Sequence, residues 1–151
     1  ENKGLVIEKV DGPSHLKVVE EFGYEMYMHC GAIRKVLLAW QTPAFIDEYF
    51  KNIILHDQAF PHVRPDDLRE ELKKIRQDGY AITHGEYVTD ALGIGAPVFN
   101  SDGELAGSIG IIAPEIRVDT PEFLDTQKDL VQFYASSLSA DLGYEKHDVF
   151  Q

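Results

Sequence analysis

Few residues in this chain are equipped for chemistry. Cys30 is the one thiol among 151 residues. It stands just before an apolar run, Ala32–Trp40, that reads as a helix, and a helix start can lower a thiol pKa. His29 adjoins it, but neighbours in sequence do not face each other on a helix, and no orienting partner can be named for a base. A half-buried structural cysteine is the stronger reading, with a thiol-dependent enzyme using Cys30 as the alternative. The six histidines, at 15, 29, 56, 62, 84 and 147, contain neither HExxH nor an i, i+4 pair. His56 and His62 could meet at a metal across a loop, yet scattered surface histidines are the commoner case, and no metal or other cofactor is expected. Asp66-Asp67 and Glu70-Glu71 are adjacent pairs on one helix, so each pair diverges and a solvated face is expected. No catalytic residue is assigned.

The segment GYAITHGEYVTDALGIGAPVF, residues 79–99, is the more informative one. Residues 79–90 read as a loop rich in Gly, His, Glu and Asp, and loops carried by a rigid scaffold often carry function. The apolar stretch Ala91–Phe99 that follows is too rich in glycine for a helix. Gly93 and Gly95 inside a strand mark a bulge or a close approach by a ligand or another backbone. The glycines at 93, 95, 103, 107 and 110 fit neither a dinucleotide fingerprint nor a P-loop. The pattern therefore suits the wall of a binding pocket. Thr83 and His84 would be its polar groups, and Met26 and Met28 its adaptable apolar lining.

The elements that must position this wall follow from punctuation and period. Gly4–Val10 reads as a strand, 11–14 (DGPS) as a turn, and His15–Glu20 as a returning strand. Gly23–Cys30 reads as a link into the Ala32–Trp40 helix, with Arg34 and Lys35 on its outer side. Thr42 caps a second helix that has Pro43 at its first position. A third helix opens at Pro65 with an acidic first turn, stacks Leu68, Leu72 and Ile75, and ends at Gly79. Strands at Ile94–Phe99 and Leu105–Ile112 flank a turn carrying Asp102-Gly103. A last helix starts at Thr120-Pro121, places Leu124, Val131, Tyr134 and Leu138 on one stripe, and stops at Gly143. Residues 144–151 (YEKHDVFQ) read as a frayed tail. Helices mixed with hairpin-connected strands predict an α+β fold with a largely antiparallel sheet.

Charge narrows the possible partners. Fourteen Lys and Arg against 26 Asp and Glu leave a formal charge of −12. Such a chain repels DNA phosphates and anionic membrane surfaces, and no apolar run approaches the roughly 20 residues of a membrane helix. One cysteine permits no internal disulfide and suits a reducing, cytoplasmic setting. The chain opens on Glu1 with no initiator Met, which suggests a piece of something longer.

Several short motifs together carry a resemblance. Leu68-x-x-Glu71-Leu72-x-x-Ile75-Arg76-x-x-Gly79-Tyr80-Ala81 is followed by Gly85-Glu86 and then Ala96-Pro97-Val98-Phe99. Upstream stand Gly23, His29 and Lys35-x-Leu37-Leu38-Ala39, and the run closes with Leu142-Gly143-Tyr144. From about Val10 to Tyr144 this resembles the effector-binding domain of the IclR family of bacterial transcription regulators. The resemblance implies a GAF-like α+β domain over 1–144, a curved antiparallel sheet flanked by helices, with 145–151 as a C-terminal tail. It also implies that DNA is bound through a winged helix-turn-helix domain absent from this chain, and that the domain forms a homodimer or homotetramer. A ligandless dimerisation module is a further alternative.

In family members that sense small 2-oxo acids, the ligand carboxylate meets main-chain N–H groups at the start of the first helix. Alignment places these at Ala32 and Ile33. The Asp, Cys and two Ser of those sensors fall on Thr83, Gly93, Gly110 and Ile112. Arg34 replaces the usual Gly of the family's Gly-Lys pair. Loss of side chains at 93 and 110 would enlarge the pocket, and Ile112 would make it more apolar. The expected effector is an organic acid larger and more apolar than glyoxylate or pyruvate.

Overall fold

The computed structural model describes residues 2–56, 62–118 and 120–146. The core is a three-stranded antiparallel sheet in the order β3 (Ala81–His84), β4 (Ala91–Phe99), β5 (Leu105–Pro114). Helix α1 (Ala32–Ala39) covers one face and α4 (Pro121–Asp141) the other. The central strand is buried along residues 91–98, as expected for a strand sandwiched between helices. Its alternation divides the labour. Leu92, Ile94, Ala96 and Val98 pack with Val131 and Ala135 of α4. Gly93 and Gly95 point the other way, toward the first turn of α1. A Cβ on Gly95 would stand 2.7 Å from the Ile33 Cα, so glycine there is what lets the helix lie directly on the strand.

The sheet differs from the sequence reading at its first strand. The segment expected to be wholly loop contains β3, whose four residues pair with β4 from Ala81↔Gly95 to His84↔Leu92. Its apolar-polar alternation is only four residues long, too short to register without the partner strand beside it. Strands β4 and β5 each extend past their expected bounds, and their register shifts once, between Val98 and Phe99, beside the Asp102-Gly103 turn. Gly103 holds φ 76° there.

The amino-terminal strands are also rearranged. β1 spans only Lys3–Leu5, and its partner is β2, Glu25–Tyr27, from the segment read as a link. One further bonded step joins Val6 N–H to the Tyr24 carbonyl at 3.0 Å. Residues 15–20 form no strand: Leu16 and Val19 lie more than half exposed, so their loose alternation has no face to bury and no ladder to join.

The helices keep their expected starts. Thr42 accepts a hydrogen bond from Phe45 N–H to open α2 (Pro43–Tyr49), which continues as a π-helical turn over Phe50–Ile54. α3 (Pro65–Asp78) buries Leu68, Leu72 and Ile75 and ends at Gly79, left-handed at φ 78°. Thr120 caps α4 through Phe123 N–H. The buried line of α4 is Val131, Ala135 and Ser139, with Leu124 packed alongside. Tyr134 and Leu138, expected on that stripe, are exposed. They sit roughly a quarter-turn off the buried line, which follows the spacing 131, 135, 139. Of the tail, residues 147–151, including His147, lie outside the described residues.

α1 departs most from a surface helix. Arg34 and Lys35, expected on its outer side, are both buried. Strand β1 lies across that side, with Gly4 against the Arg34 and Leu37 side chains, and α3 packs beside it. The cations are therefore enclosed and must be paired.

Candidate effector cleft

One row of residues crosses the sheet beneath the start of α1. Thr83, Gly93 and Ile112 are register partners on β3, β4 and β5. The Thr83 hydroxyl accepts a hydrogen bond from Ala32 N–H at 3.1 Å, capping one of the donors that the first turn of a helix leaves without an intrahelical partner. Gly31 sets the turn into the helix at φ 80°, a conformation L side chains rarely adopt. The bare Cα of Gly93 faces this junction: a Cβ there would reach Thr83 Oγ1 at 3.0 Å and Ala32 Cβ at 3.3 Å.

Above this row lies a narrow cleft. Its floor is Gly31, Ala32, Ile33, Thr83, Gly93 and Ile112. Its rim adds Arg34, the segment Glu86-Tyr87-Val88, and Ala91 with Leu92. Five of the nine residues assigned from the sequence thus meet here. The other four do not line it. Met28 is buried in the core with Val36, Leu72 and Ala81, and Met26 is half-buried on β2. His84 alternates outward from Thr83 and pairs in the open with Glu115, Nδ1 to Oε1 2.9 Å. Gly110 belongs to the next row, opposite Gly95. A Cβ on it would run into the Ile94 carbonyl of β4 and meet Ile33 Cγ1 at 2.7 Å, so its lack of a side chain admits the neighbouring strand and α1 and adds no room for a ligand.

The rim residues missed from the sequence form a charged network. Lys35, 1% exposed at its side chain, donates to Glu71 at 2.8 Å and to Glu86 at 2.6 Å. Glu71 therefore turns inward from α3, correcting the solvated face expected for it, while Glu70 stays outside with Lys73. Arg34 donates to Glu20 at 3.1 Å, and its guanidinium lies 5.3 Å from the Tyr87 ring centre and 6.0 Å from that of Tyr24. Two carboxylate oxygens in this network, Glu20 Oε1 and Glu86 Oε2, are buried with no hydrogen-bond partner. Burial, the largest influence, pushes the Tyr87 hydroxyl above the usual phenol range. Nothing in the spacing of Glu86 marks it as inward-facing; only the meeting of α1, α3 and the 85–90 turn does.

Cys30 is fully buried, and burial pushes its thiol from 9.0 up to about 11. That is the reverse of what an activated nucleophile needs. His29 bonds Tyr49 instead, Nδ1 to Oη 2.8 Å. Among the described residues no group of three or more His, Cys, Asp or Glu side chains converges as a metal site, and no helix is long and apolar enough to cross a membrane.

The family model for the bacterial transcriptional regulator IclR C-terminal domain matches residues 1–140. The chain belongs to that family. Among relatives of the IclR C-terminal domain, an uncharacterized HTH-type transcriptional regulator of Escherichia coli, RhmR, is 30% identical over 141 residues, 92% of this chain and 54% of that protein. The HTH-type regulator KipR of Bacillus subtilis is 26% identical over 144 residues, covering 95% and 57%. The chain thus spans little more than half the length of these relatives. The crystal structure of Thermotoga maritima IclR superposes with a TM-score of 0.83 at 28% identity, covering 95% of this chain and 58% of that one. The C-terminal domain of a Vibrio cholerae regulator does so at 0.75 and 26% identity, covering 91% and 79%. The family is one of transcription regulators, and the α+β architecture with antiparallel sheets is that of its C-terminal domains.

Proposed function

We propose that this IclR C-terminal domain is the sensing part of a cytoplasmic, DNA-binding regulator, and that a small organic acid seated in the cleft sets the DNA affinity of the whole protein. One observation carries the reading: Thr83, Gly93 and Ile112 form a single row beneath the first turn of α1. Main-chain N–H groups and the helix dipole favour an anion at such a turn, so the ligand carboxylate is assigned to Ala32 and Ile33, where it would take the place of the Thr83 hydroxyl on Ala32 N–H. The bare Gly93 and apolar Ile112 and Val88 suit a body larger and more apolar than glyoxylate or pyruvate. The chain binds and does not turn over its ligand; the buried, high-pKa Cys30 supports that. The net charge of −12 assigns DNA contact to another segment of the full-length regulator. The domain works as a homodimer or homotetramer, supported by large apolar side chains left exposed on α4, among them Phe123, Leu130, Phe133 and Tyr134.

A thermal-shift panel of organic acids tests the site. A ligand at 100 times its Kd stabilises by about 2.7 kcal/mol, a rise of roughly 5–10 °C for a domain of this size. Gly93→Ala narrows the cleft at Thr83 and should reduce the shift given by a bulky acid while the domain stays folded. If glyoxylate or pyruvate gives the largest shift, the enlarged-cleft reading fails.

A further inference from the structure

Solvent barely reaches the floor of the cleft: Thr83 is 6% exposed and Ala32 2%. The other walls, α1 and the paired strands, are held by packing and by ladder bonds. The segment between β3 and β4 is held differently. Its Tyr87 Cβ lies 3.8 Å from where a Cβ on Gly31 would stand, so it rests against the turn into α1. Among the described residues, the main chain of 86–89 bonds only within its own turn, where Ala91 N–H donates to the Val88 carbonyl at 3.2 Å. Side chains make the ties to α1. Lys35 Nζ donates to Glu86 at 2.6 Å, and the Tyr87 ring lies beside the Arg34 guanidinium and 6.2 Å from the Tyr24 ring. Left-handed residues bound the segment at both ends, Gly85 at φ 61° and Asp90 at φ 59°. Asp90 is the one non-glycine residue with positive φ among the described residues, and such outliers gather at switch regions.

We infer that residues 86–89 form a flap that opens to admit ligand to the cleft, hinged at Gly85 and Asp90 and latched by the Glu86–Lys35 bond. Opening breaks one ion pair and lifts Tyr87 off Arg34, while the strand ladders and α1 stay as they are. Neither buried cation is stranded by it, because Lys35 keeps Glu71 and Arg34 keeps Glu20. A buried charge left without a partner is what makes breaking such pairs costly, and the second carboxylate on Lys35 removes that obstacle. The flap deepens the cleft reading above by saying how the floor is reached.

A thiol on the floor tests this without any effector. Thr83→Cys in a Cys30→Ala background leaves one cysteine, whose modification by Ellman's reagent should be slow in the folded domain. Adding Glu86→Gln or Tyr87→Ala should speed it by roughly tenfold. Glu71→Gln, which removes the lysine's other partner and leaves the latch, should not speed it. The rate should depend little on low urea, because a local opening exposes far less surface than unfolding. Modification at the speed of a free thiol before the latch is removed, equal rates with and without the latch, or a rate that follows global unfolding across urea would each overturn the flap. Melting curves check that the variants fold. If Thr83→Cys does not, exchange of the Ala91 amide gives the same reading in the natural chain: Glu86→Gln should accelerate it relative to the Ile94 amide of the same variant, and an unchanged ratio overturns the flap. Any of these failures leaves the organic-acid reading standing, since that reading is decided by the thermal-shift panel.

Discussion

Cys30 and the glycines of β4 show how single positions act through what surrounds them. The Cys30 thiol is enclosed and its ionisation is suppressed by burial, up to about 11. Ellman's reagent at neutral pH should leave it unmodified in the native domain and modify it fully in denaturant; rapid native labelling would contradict the burial. The sign of the pH effect follows. Above pH 9 the unfolded thiol ionises while the folded one stays protonated, so the folded state binds more protons and stability falls toward pH 11. Cys30→Ala should flatten the decline in urea midpoint between pH 9 and 11. Among the glycines, Gly95→Ala forces a Cβ to 2.7 Å from the Ile33 backbone, and overpacking of this kind costs about 2 kcal/mol, or about 4–8 °C in Tm. Gly107→Ala on β5 meets nothing within 4 Å and should leave Tm unchanged. Similar losses at both positions would mean that α1 does not rest on Gly95.

At the scale of elements, α1 depends on charges it has buried. Lys35 joins it to α3 through Glu71 and to the 85–90 turn through Glu86. Lys35→Met removes the cation and leaves two half-buried carboxylates facing apolar surface. Breaking such a pair from one side costs about 3 kcal/mol, so Tm should drop by roughly 6–12 °C. A Lys35→Met variant as stable as the parent at neutral pH would reduce the network to decoration. The end of α3 offers an independent check. Gly79 holds φ 78°, and Gly79→Ala should cost about 1 kcal/mol from the left-handed backbone alone, read as a shifted urea midpoint with an unchanged slope.

For the whole molecule, charge and exposed apolar surface point in different directions. A domain of net charge −12 should give no retardation of duplex DNA at about physiological salt; a shifted band from this chain by itself would overturn the assignment of DNA contact to another segment. The apolar side chains exposed on α4 favour self-association. Light scattering at tens of micromolar should report a dimer or larger, and Phe133→Lys with Tyr134→Lys should shift the mass downward if α4 forms the contact.

Helix starts and stops were legible because they are local. Thr42-Pro43, Pro65 with its acidic turn, Thr120-Pro121 and the left-handed Gly79 each act within one turn of chain, and the structure places a cap or end at every one. The ordered motifs carried the family and its α+β fold for a related reason: they record which residues a packed core of this shape requires. The positions Thr83, Gly93 and Ile112 could be aligned, but that they form one row under α1 is a matter of strand register, and register is set by pairing partners far apart in sequence. The inward turn of Arg34, Lys35, Glu71 and Glu86 was hidden for the same reason. On α1 alone the two cations lie on a face that would meet water; β1, α3 and the 85–90 turn cover that face, and Glu20, Glu71 and Glu86 supply its carboxylates. At Gly110 a missing side chain looks alike in sequence whether it makes room for a ligand or for neighbouring backbone and helix, and only the positions of the Ile94 carbonyl and of Ile33 decide between them.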